Sequence, residues 1–289
     1  MTPHRTSPRR PGRPSPSCSR WGFSLLELLA TIAIIGVLVA LLVPALKAVR
    51  GSASTASELV TARQLMTAYA AYAFDHESRV LPGYWSHAPA LPAVNDRGET
   101  LTGEAARRYP WRLAPYVDFS MTALLQDADL IRRLKDADPA LVDYWISLYP
   151  SMGINGVFVG RDTGIDAPYQ QLFGPIAITR ISQAKRPADL IVFGSARITD
   201  TPYEEGSPTT IEGFFRLTPP YLVHREWTES GYDPDGDASD FGYLSLRRPG
   251  RQAAIGFLDG HADLLGEGEL QDMRKWTGEA IRADWTLAP

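Results

Sequence analysis

The chain has 289 residues, of which 44% are hydrophobic and 21% are charged, and its formal net charge is −4. This balance is typical of a globular protein with one large domain or two small ones, and it excludes a disordered chain and a strongly basic nucleic-acid-binding protein. The charge is unevenly distributed, because residues 1–22 carry five arginines and no acidic residue. The single cysteine, Cys18, also lies in this basic segment, so the remaining chain can form no disulfide of its own.

Residues 1–19 are rich in proline, serine and arginine, a composition that predicts neither a helix nor a packed core. An apolar run, Leu28–Leu46, follows this basic segment. It is 19 residues long, has no charged side chain and contains Thr31 as its only hydroxyl-bearing residue. At about 1.5 Å per helical residue this run matches the roughly 30 Å hydrocarbon core of a bilayer, so it predicts a single membrane-spanning helix. Because positively charged flanks stay in the cytoplasm, the arginines predict a cytoplasmic leader and a head on the other side of the membrane.

Glu27 is an acidic residue at the edge of this apolar run, and it follows Gly22 by five positions. An ionisable side chain at a membrane-spanning segment is costly when it is unpaired, so it indicates a functional site with a cationic partner. Cleavage after Gly22 would supply that partner, because the new amino terminus on Phe23 is a cation at the same end of the helix. A cut between Gly22 and Phe23 would thus place a cation beside the Glu27 carboxylate.

The segment Gly22–Glu27 resembles the processing motif of type IV pilins and type II secretion pseudopilins. It has the small glycine before the cut, phenylalanine as the first mature residue and glutamate as the fifth, and Pro44 falls where these helices often carry a proline. The resemblance implies cleavage after Gly22 by a prepilin peptidase and methylation of the Phe23 amine. It also implies that Glu27 pairs with the amino terminus of a neighbouring subunit as the chain leaves the inner membrane for a helical filament.

Two other interpretations of the N-terminal segment stay open. A secretory signal peptide also has a basic start and an apolar middle, but its apolar region is about 7 to 15 residues long and ends at a small-residue cleavage site. Only Val43–Ala48 faintly resembles such a site. A plain single-pass anchor is the other interpretation, and it would explain the apolar run alone.

The sequence predicts four segments, which are a cleaved leader at 1–22, a transmembrane or filament-core helix at 23–46, an outer half of the same helix at 47–76, and a head at 77–289. Apolar residues continue to recur every three or four positions beyond Leu46, which is the spacing of one helical face. We therefore expect an α+β, pilin-like protein in which a long N-terminal helix packs on an antiparallel sheet. The head would face the periplasm or the cell exterior.

The head is predicted from short apolar and β-branched runs separated by turn residues. Strands are expected at Ile154–Val159, Ile176–Ile181 and Leu190–Gly194, and a hairpin is expected to turn at Asp259-Gly260. Helical spacing within Met121–Lys135 and Ala140–Leu148 predicts a helical insertion around 120–149, and Gly266–Trp276 is expected to form a final helix.

A second resemblance involves segments after the apolar run. A large bacterial group of prepilin-like proteins is resembled, in order, by Ala62–Asp75 with the Leu81-Pro82 turn, Gly153–Gly156, Ile178–Arg197 and Phe257–Ala262. The tail of that group is named for a histidine, nine arbitrary residues and Asp-Gly. The Asp-Gly is present here, but Pro249 occupies the position of the histidine. Residues of about 83–150 are not covered by either resemblance.

An acidic loop is the one candidate for a metal site. Asp233, Asp235, Asp237 and Asp240 place carboxylates near one another in a turn-rich segment, and calcium is bound by six to eight such oxygens. The spacing differs from an EF-hand, and the alternative is a solvated acidic turn. The loop is therefore a candidate calcium site. We expect no other cofactor.

No residue pattern predicts catalysis. His261 with Asp259 and Asp263 fits a hairpin turn with alternating strand positions, and Ser195 lacks the partners of a nucleophile. A further group of side chains is aromatic and fits either a binding surface or anchors that hold loops on a core, namely Tyr84, Trp85, Tyr109 and Trp111. We expect no enzyme.

The expected function is that of a structural subunit of a type II secretion pseudopilus or a type IV pilus-like filament, held in the inner membrane by a single span. Its expected partners are a prepilin peptidase, other pilin or pseudopilin subunits and the assembly platform, without nucleic acid. The alternative is a membrane-tethered binding module that does not polymerise and holds a glycan or an exported cargo. A tethered hydrolase is a third possibility.

Overall fold

The computed structural model describes residues 24–86, 92–120, 124–125, 127–135, 137–162, 166–199, 210–248 and 250–287. Gly22, Phe23 and the rest of the basic leader lie outside the described residues. The chain divides into two compact units, Met1–Val49 and Arg50–Pro289. Helix α1 (Leu25–Asp75) begins in the first unit and ends in the second.

Of the first unit, the structure describes Ser24 and the N-terminal part of α1. Its span Leu25–Val43 has a mean hydropathy of 2.8, and none of it is buried. Thr31 donates a hydrogen bond to the carbonyl of Leu28 at 2.8 Å, so the hydroxyl of the apolar run is satisfied within the helix. Among the described residues this is the one segment that is long and apolar enough to cross a membrane.

The second unit is built around a four-stranded antiparallel sheet in the order β1-β2-β3-β4. Its strands are β1 (Met152–Ile154), β2 (Ile191–Ser195), β3 (Gln252–Phe257) and β4 (Ala262–Gly266). Every residue of β2 and all but the first of β3 are buried, so these two central strands are covered on both faces. Together with α1, the sheet confirms the prediction of an α+β protein.

Short helices account for most of the remaining regular structure that is described in this unit. They are α2 (Gly103–Arg107), α3 (Pro110–Leu113), α4 (Ala128–Leu134), α5 (Pro139–Leu148), α6 (Asp166–Phe173) and α7 (Glu267–Leu270). Stretches of 3₁₀ helix lie at Ala114–Val117, Ile181–Gln183, Ala238–Phe241 and Met273–Lys275.

Within the second unit, one face of α1 packs against the middle of the sheet. Leu65, Met66 and Tyr69 are each 1% exposed, and the ring of Tyr69 meets that of Phe193 on β2 edge-to-face at 5.7 Å. Gly256 on β3 lies opposite, because a Cβ atom there would be only 2.7 Å from Met66 Cγ. This glycine therefore allows the helix to approach the sheet closely.

Glu58 joins the same helix to the sheet through a buried charge. It is 2% exposed, and its Oε2 accepts a hydrogen bond from Ser195 Oγ on β2 at 2.8 Å. Ser195 Oγ in turn accepts one from the Ala254 amide on β3 at 3.1 Å. The other carboxylate oxygen pairs with Arg248, whose Nη1 lies 3.7 Å from Glu212. Because a buried carboxylate is tolerated only when it is paired, these contacts fix the helix on the two central strands.

The predicted strand Ile154–Val159 is wrong beyond its first residue. The chain turns at residues 156–158, and the side chain of Asn155 accounts for the change of direction. Its Nδ2 donates to the carbonyls of Ile191 and Trp276, both at 3.0 Å. Asparagine side chains that bond to the backbone compete with a strand ladder and favour turns.

The predicted strand Ile176–Ile181 is also wrong, because only single bridges at Ile178 and Arg180 connect it to other segments. One bridge is parallel and the other antiparallel, so no continuous ladder forms. The strand predicted at Leu190–Gly194 is confirmed as β2, and the hairpin around Asp259-Gly260 is confirmed as β3 and β4. Gly260 in its turn has φ +100°, a conformation that glycine adopts without strain.

Helix boundaries differ from the expectation in several places. The segment predicted as a helical insertion contains α4 and α5, and Asp138 caps α5 by accepting from the Ala140 amide at 2.9 Å. Residues 121–123 of that segment lie outside the described part. The sequence missed α2 and α3, whose 5 and 4 residues are too few for a helical period to be recognised. The predicted final helix is α7 followed by a 3₁₀ stretch.

We expect Glu58→Ala to lower the free energy of unfolding by about 3–5 kcal/mol, because it removes the buried carboxylate that pairs with the largely buried Arg248 guanidinium and leaves only the more distant Glu212. Urea unfolding of the full-length protein in detergent, followed by far-ultraviolet circular dichroism, measures the change. Arg63→Ala, on the exposed side of the same helix, is the matched control and should stay within about 0.5 kcal/mol of the parent. A Glu58→Ala protein as stable as the control would contradict the structural role of the pair.

Candidate functional site

Glu27 lies in the first turn of α1, where it forms a reciprocal cap with Ser24. The Ser24 amide donates to Glu27 Oε2 at 2.9 Å, and the Glu27 amide donates to Ser24 Oγ at 3.2 Å. This is a capping box, which satisfies two of the amide groups that every helix start leaves unpaired. The Ser-x-x-Glu spacing was readable in the sequence but was not recognised there as a cap. The carboxylate therefore lies against the amide of the residue that directly follows Phe23.

The side chains behind Glu27 form an uncovered apolar surface. Exposed fractions of large residues within Leu25–Val43 range from 47% for Val43 to 83% for Leu25. So much contiguous apolar area is unfavourable in water, and it indicates a surface that is covered by lipid or by other apolar helices. Pro44 lies within α1, and its side chain is outside what the structure describes. As a proline it has no amide hydrogen to donate at that point of the helix.

The carboxylates of the acidic loop have local partners. Asp233 Oδ1 accepts from the Asp235 amide at 2.9 Å, and Asp237 Oδ1 accepts from the Ser239 amide at 2.8 Å. Asp240 lies in the 3₁₀ stretch that Asp237 caps. Across the described residues, no three or more His, Cys, Asp or Glu side chains are grouped as metal ligands. Calcium binding by this loop stays a prediction.

A buried arginine that the sequence analysis missed holds this loop from inside. Arg197 is 1% exposed, and its guanidinium donates to the carbonyls of Asp233, Pro234 and Gly236 at 2.7, 2.6 and 3.2 Å. Its Cζ atom lies 5.0 Å from the centroid of the Tyr232 ring, in a cation–π contact. The main-chain oxygens of the loop thus already surround one cation, the guanidinium.

His261 and Asp259 lie together in the β3–β4 turn. His261 Nδ1 is 2.6 Å from Asp259 Oδ1, and the His261 ring stacks on Phe257 at 4.3 Å. Partial burial raises the pKa of the Asp259 carboxyl, but the hydrogen bonds from His261 together outweigh it and leave the pKa below its usual value. Asp263 instead accepts from the Leu264 amide at 2.8 Å. The structure therefore brings two of the three side chains together, in a turn.

The four aromatic residues for which the sequence left a binding surface and loop anchors open have two different environments. Tyr109 and Trp111 are fully buried, and Trp111 Nε1 donates to the carbonyl of Asp143 at 2.8 Å. Tyr84 and Trp85 are half-buried at the surface. The first two hold loops on the core, so only the second two are available to a ligand.

For the acidic loop we expect calcium to raise the unfolding temperature of the full-length protein relative to excess EGTA, because an ion that binds only the folded state stabilises it by mass action. Asp235→Asn, at an exposed carboxylate, should reduce that difference. Thermal unfolding in detergent measures both proteins. Equal unfolding temperatures with calcium and with EGTA would dismiss the site.

Comparison of the chain with protein-family models, with curated proteins and with solved structures gives no significant match. The functional argument therefore rests on the residues described above.

Proposed function

We propose that this protein is a subunit of a type II secretion pseudopilus or of a type IV pilus-like filament, anchored in the inner membrane before assembly. The observation that carries the proposal is the capped Glu27 carboxylate at the start of an uncovered apolar helix, directly after a Gly22-Phe23 pair. The resemblance of this segment to prepilin processing motifs supports the same conclusion. The head would lie outside the cytoplasm, and a prepilin peptidase and an assembly platform would be its partners.

The charge on Glu27 supports this role. A carboxylate at the edge of a membrane-spanning helix is unfavourable until a cation approaches it. Cleavage after Gly22 creates such a cation on Phe23, and a neighbouring subunit brings a second amine of the same kind. The pairing then neutralises the only acidic side chain of the N-terminal 50 residues.

The outward face of α1 in the second unit is unusually poor in charge, which also supports assembly. The side chains of this face are exposed, and among residues 52–74 the only charged one of them is Arg63. Val60 is 50% exposed and Phe74 is 87% exposed. The solvent side of an amphipathic helix is normally charged and polar. A face of small and apolar residues suits contact with the helices of other subunits.

Processing is tested by the mass of the mature amino terminus. We expect protein purified from membranes of a host that has a prepilin peptidase to begin at Phe23 and to carry one methyl group on that amine. Protein from a host without the peptidase is the control, and it should keep residues 1–22. A retained leader in the first host would remove the filament proposal and leave a membrane-tethered module.

Assembly is tested by two variants that separate the charge of Glu27 from its cap. Glu27→Gln keeps an oxygen that can accept from the Ser24 amide but removes the charge, so we expect normal membrane insertion and no incorporation into filaments. Ser24→Ala removes the hydroxyl of the cap and keeps the charge, so we expect incorporation to continue. Sheared filaments probed with an antibody against the head measure the outcome. Incorporation of Glu27→Gln at the parental level would exclude the proposed pairing.

A further inference from the structure

A groove of about 550 Å³ lies at the C-terminal end of α1, in the second unit. This volume is within the range of small-molecule sites, about 300–1,000 Å³. Its lining includes aromatic side chains, Tyr72, His76 and Trp85, and charged ones, Asp75 and Arg79. Neither the filament proposal nor the processing motif uses these residues, so the groove is an independent feature of the head.

The wall of the groove is a strained helix end. Glu77 and Ser78 have φ +56° and +63°, left-handed conformations that non-glycine residues seldom adopt. The helix closes there because the Ser78 amide donates to the Ala73 carbonyl at 2.7 Å, as in a Schellman motif. The Ile181 amide then holds the Ser78 carbonyl at 3.0 Å. Backbone strain of this kind is concentrated at binding and catalytic sites.

The floor of the groove requires a glycine. Gly160 has φ +76°, and a Cβ atom at this position would lie 2.1 Å from the carbonyl oxygen of Leu81. Its amide donates to the Ile178 carbonyl at 2.9 Å. Two backbone segments therefore meet closely beneath the groove, and the surface above them stays open to a ligand.

The aromatic side chains of the groove are held in place by their neighbours. The His76 ring stacks on Tyr72 with centroids 4.0 Å apart and an angle of 13° between the planes. Trp85 has the Arg112 guanidinium 4.4 Å from its ring centroid. Burial lowers the pKa of Arg112 to about 10, so this side chain keeps its charge at neutral pH. Fixed aromatic rings offer flat apolar surfaces against which a sugar ring can pack.

The charges of the groove differ in whether they already have partners. Asp75 accepts from the Tyr116 hydroxyl at 3.1 Å, and Glu77 lies 3.6 Å from Arg180. Arg161, a second arginine of the lining, donates to Gln170 Oε1. Arg79 is exposed, and no other described side chain forms an ion pair or a hydrogen bond with its guanidinium. An exposed arginine without a partner suits a planar carboxylate, which it binds through two parallel hydrogen bonds.

We propose that this groove binds an acidic saccharide, with the sugar ring against Trp85 and His76 and the sugar carboxylate on Arg79. The carboxylates of Asp75 and Glu77 are acceptors for sugar hydroxyls. They also argue against ligands with several adjacent negative charges, such as nucleotides, because like charges repel at this range. The ligand thus needs carboxylates spaced one to a sugar ring among many hydroxyls, which is the chemistry of a chain of uronic acids, and only one of those carboxylates has to reach Arg79.

Calorimetric titration of the full-length protein with tetragalacturonate tests this proposal, in a detergent without a sugar headgroup. We expect saturable binding, and at least tenfold weaker binding for Arg79→Gln and for Trp85→Ala. Trp85→Phe serves as a second variant if Trp85→Ala unfolds, and it should bind more weakly than the parent because its ring offers a smaller surface. Arg63→Gln, an arginine of the same helix that does not line the groove, should bind like the parent.

Two further probes separate the sugar from its charge. Maltotetraose has the rings without the carboxylates, and tetraglutamate has the carboxylates without the rings; both should bind at least tenfold more weakly than tetragalacturonate. Equal binding of either probe would overturn the proposal. So would the absence of tetragalacturonate binding at millimolar concentration, or binding that Arg79→Gln leaves unchanged.

Discussion

Helix α1 has to satisfy two different surroundings with one continuous backbone. From Leu25 to Val43 its side chains, apart from Glu27 and Thr31, are apolar and exposed on every side, a pattern that is stable only in lipid or among other apolar helices. From Gly51 to Asp75 burial follows one helical face, which packs on β2 and β3. The proposed membrane anchor rests on the exposed apolar span. The packing of the head rests on the buried face of the same helix.

The second unit, which contains no cysteine, joins distant segments of the chain through buried charges. Glu58 contacts Ser195 and Arg248 between helix and sheet, and Arg197 gathers three carbonyls of the acidic loop. Each charge is surrounded by several partners, because an unpaired charge in this position would be strongly destabilising. Such pairs contribute little net stability compared with apolar packing, but they allow only one register between the segments that they join.

Features that depend on local spacing could be predicted from the sequence. The long helix follows from apolar residues at intervals of three and four, and the β3–β4 hairpin follows from Asp259-Gly260 between two apolar runs. The helix was expected to pack on the sheet, and Leu65, Met66 and Tyr69 carry out that packing. Each of these elements is long enough to show its full hydrophobic period within its own residues, so it can be recognised without knowing its partners.

Features that depend on partners distant in the sequence could not be predicted. The strand expected after Ile154 ends at Asn155 because that side chain bonds to Ile191 and Trp276. The contact of Arg197 with the carbonyls of the acidic loop was missed, since nothing in the loop's own residues indicates it. Of the aromatic cluster, Trp85 lines the groove whereas Trp111 is fully buried, a difference that only the packed chain decides.

At the left-handed C-terminal end of α1, the stability of the protein and the binding of a ligand in the groove favour different residues. Glycine at the position of Glu77 would relieve a strain of roughly 1–2 kcal/mol, yet the chain places a carboxylate there, at the rim of the groove. A search for more heat-resistant forms of this protein would therefore favour replacing that side chain. The same replacement would remove one acceptor for a bound sugar. Variants selected for higher stability would therefore bind the sugar more weakly.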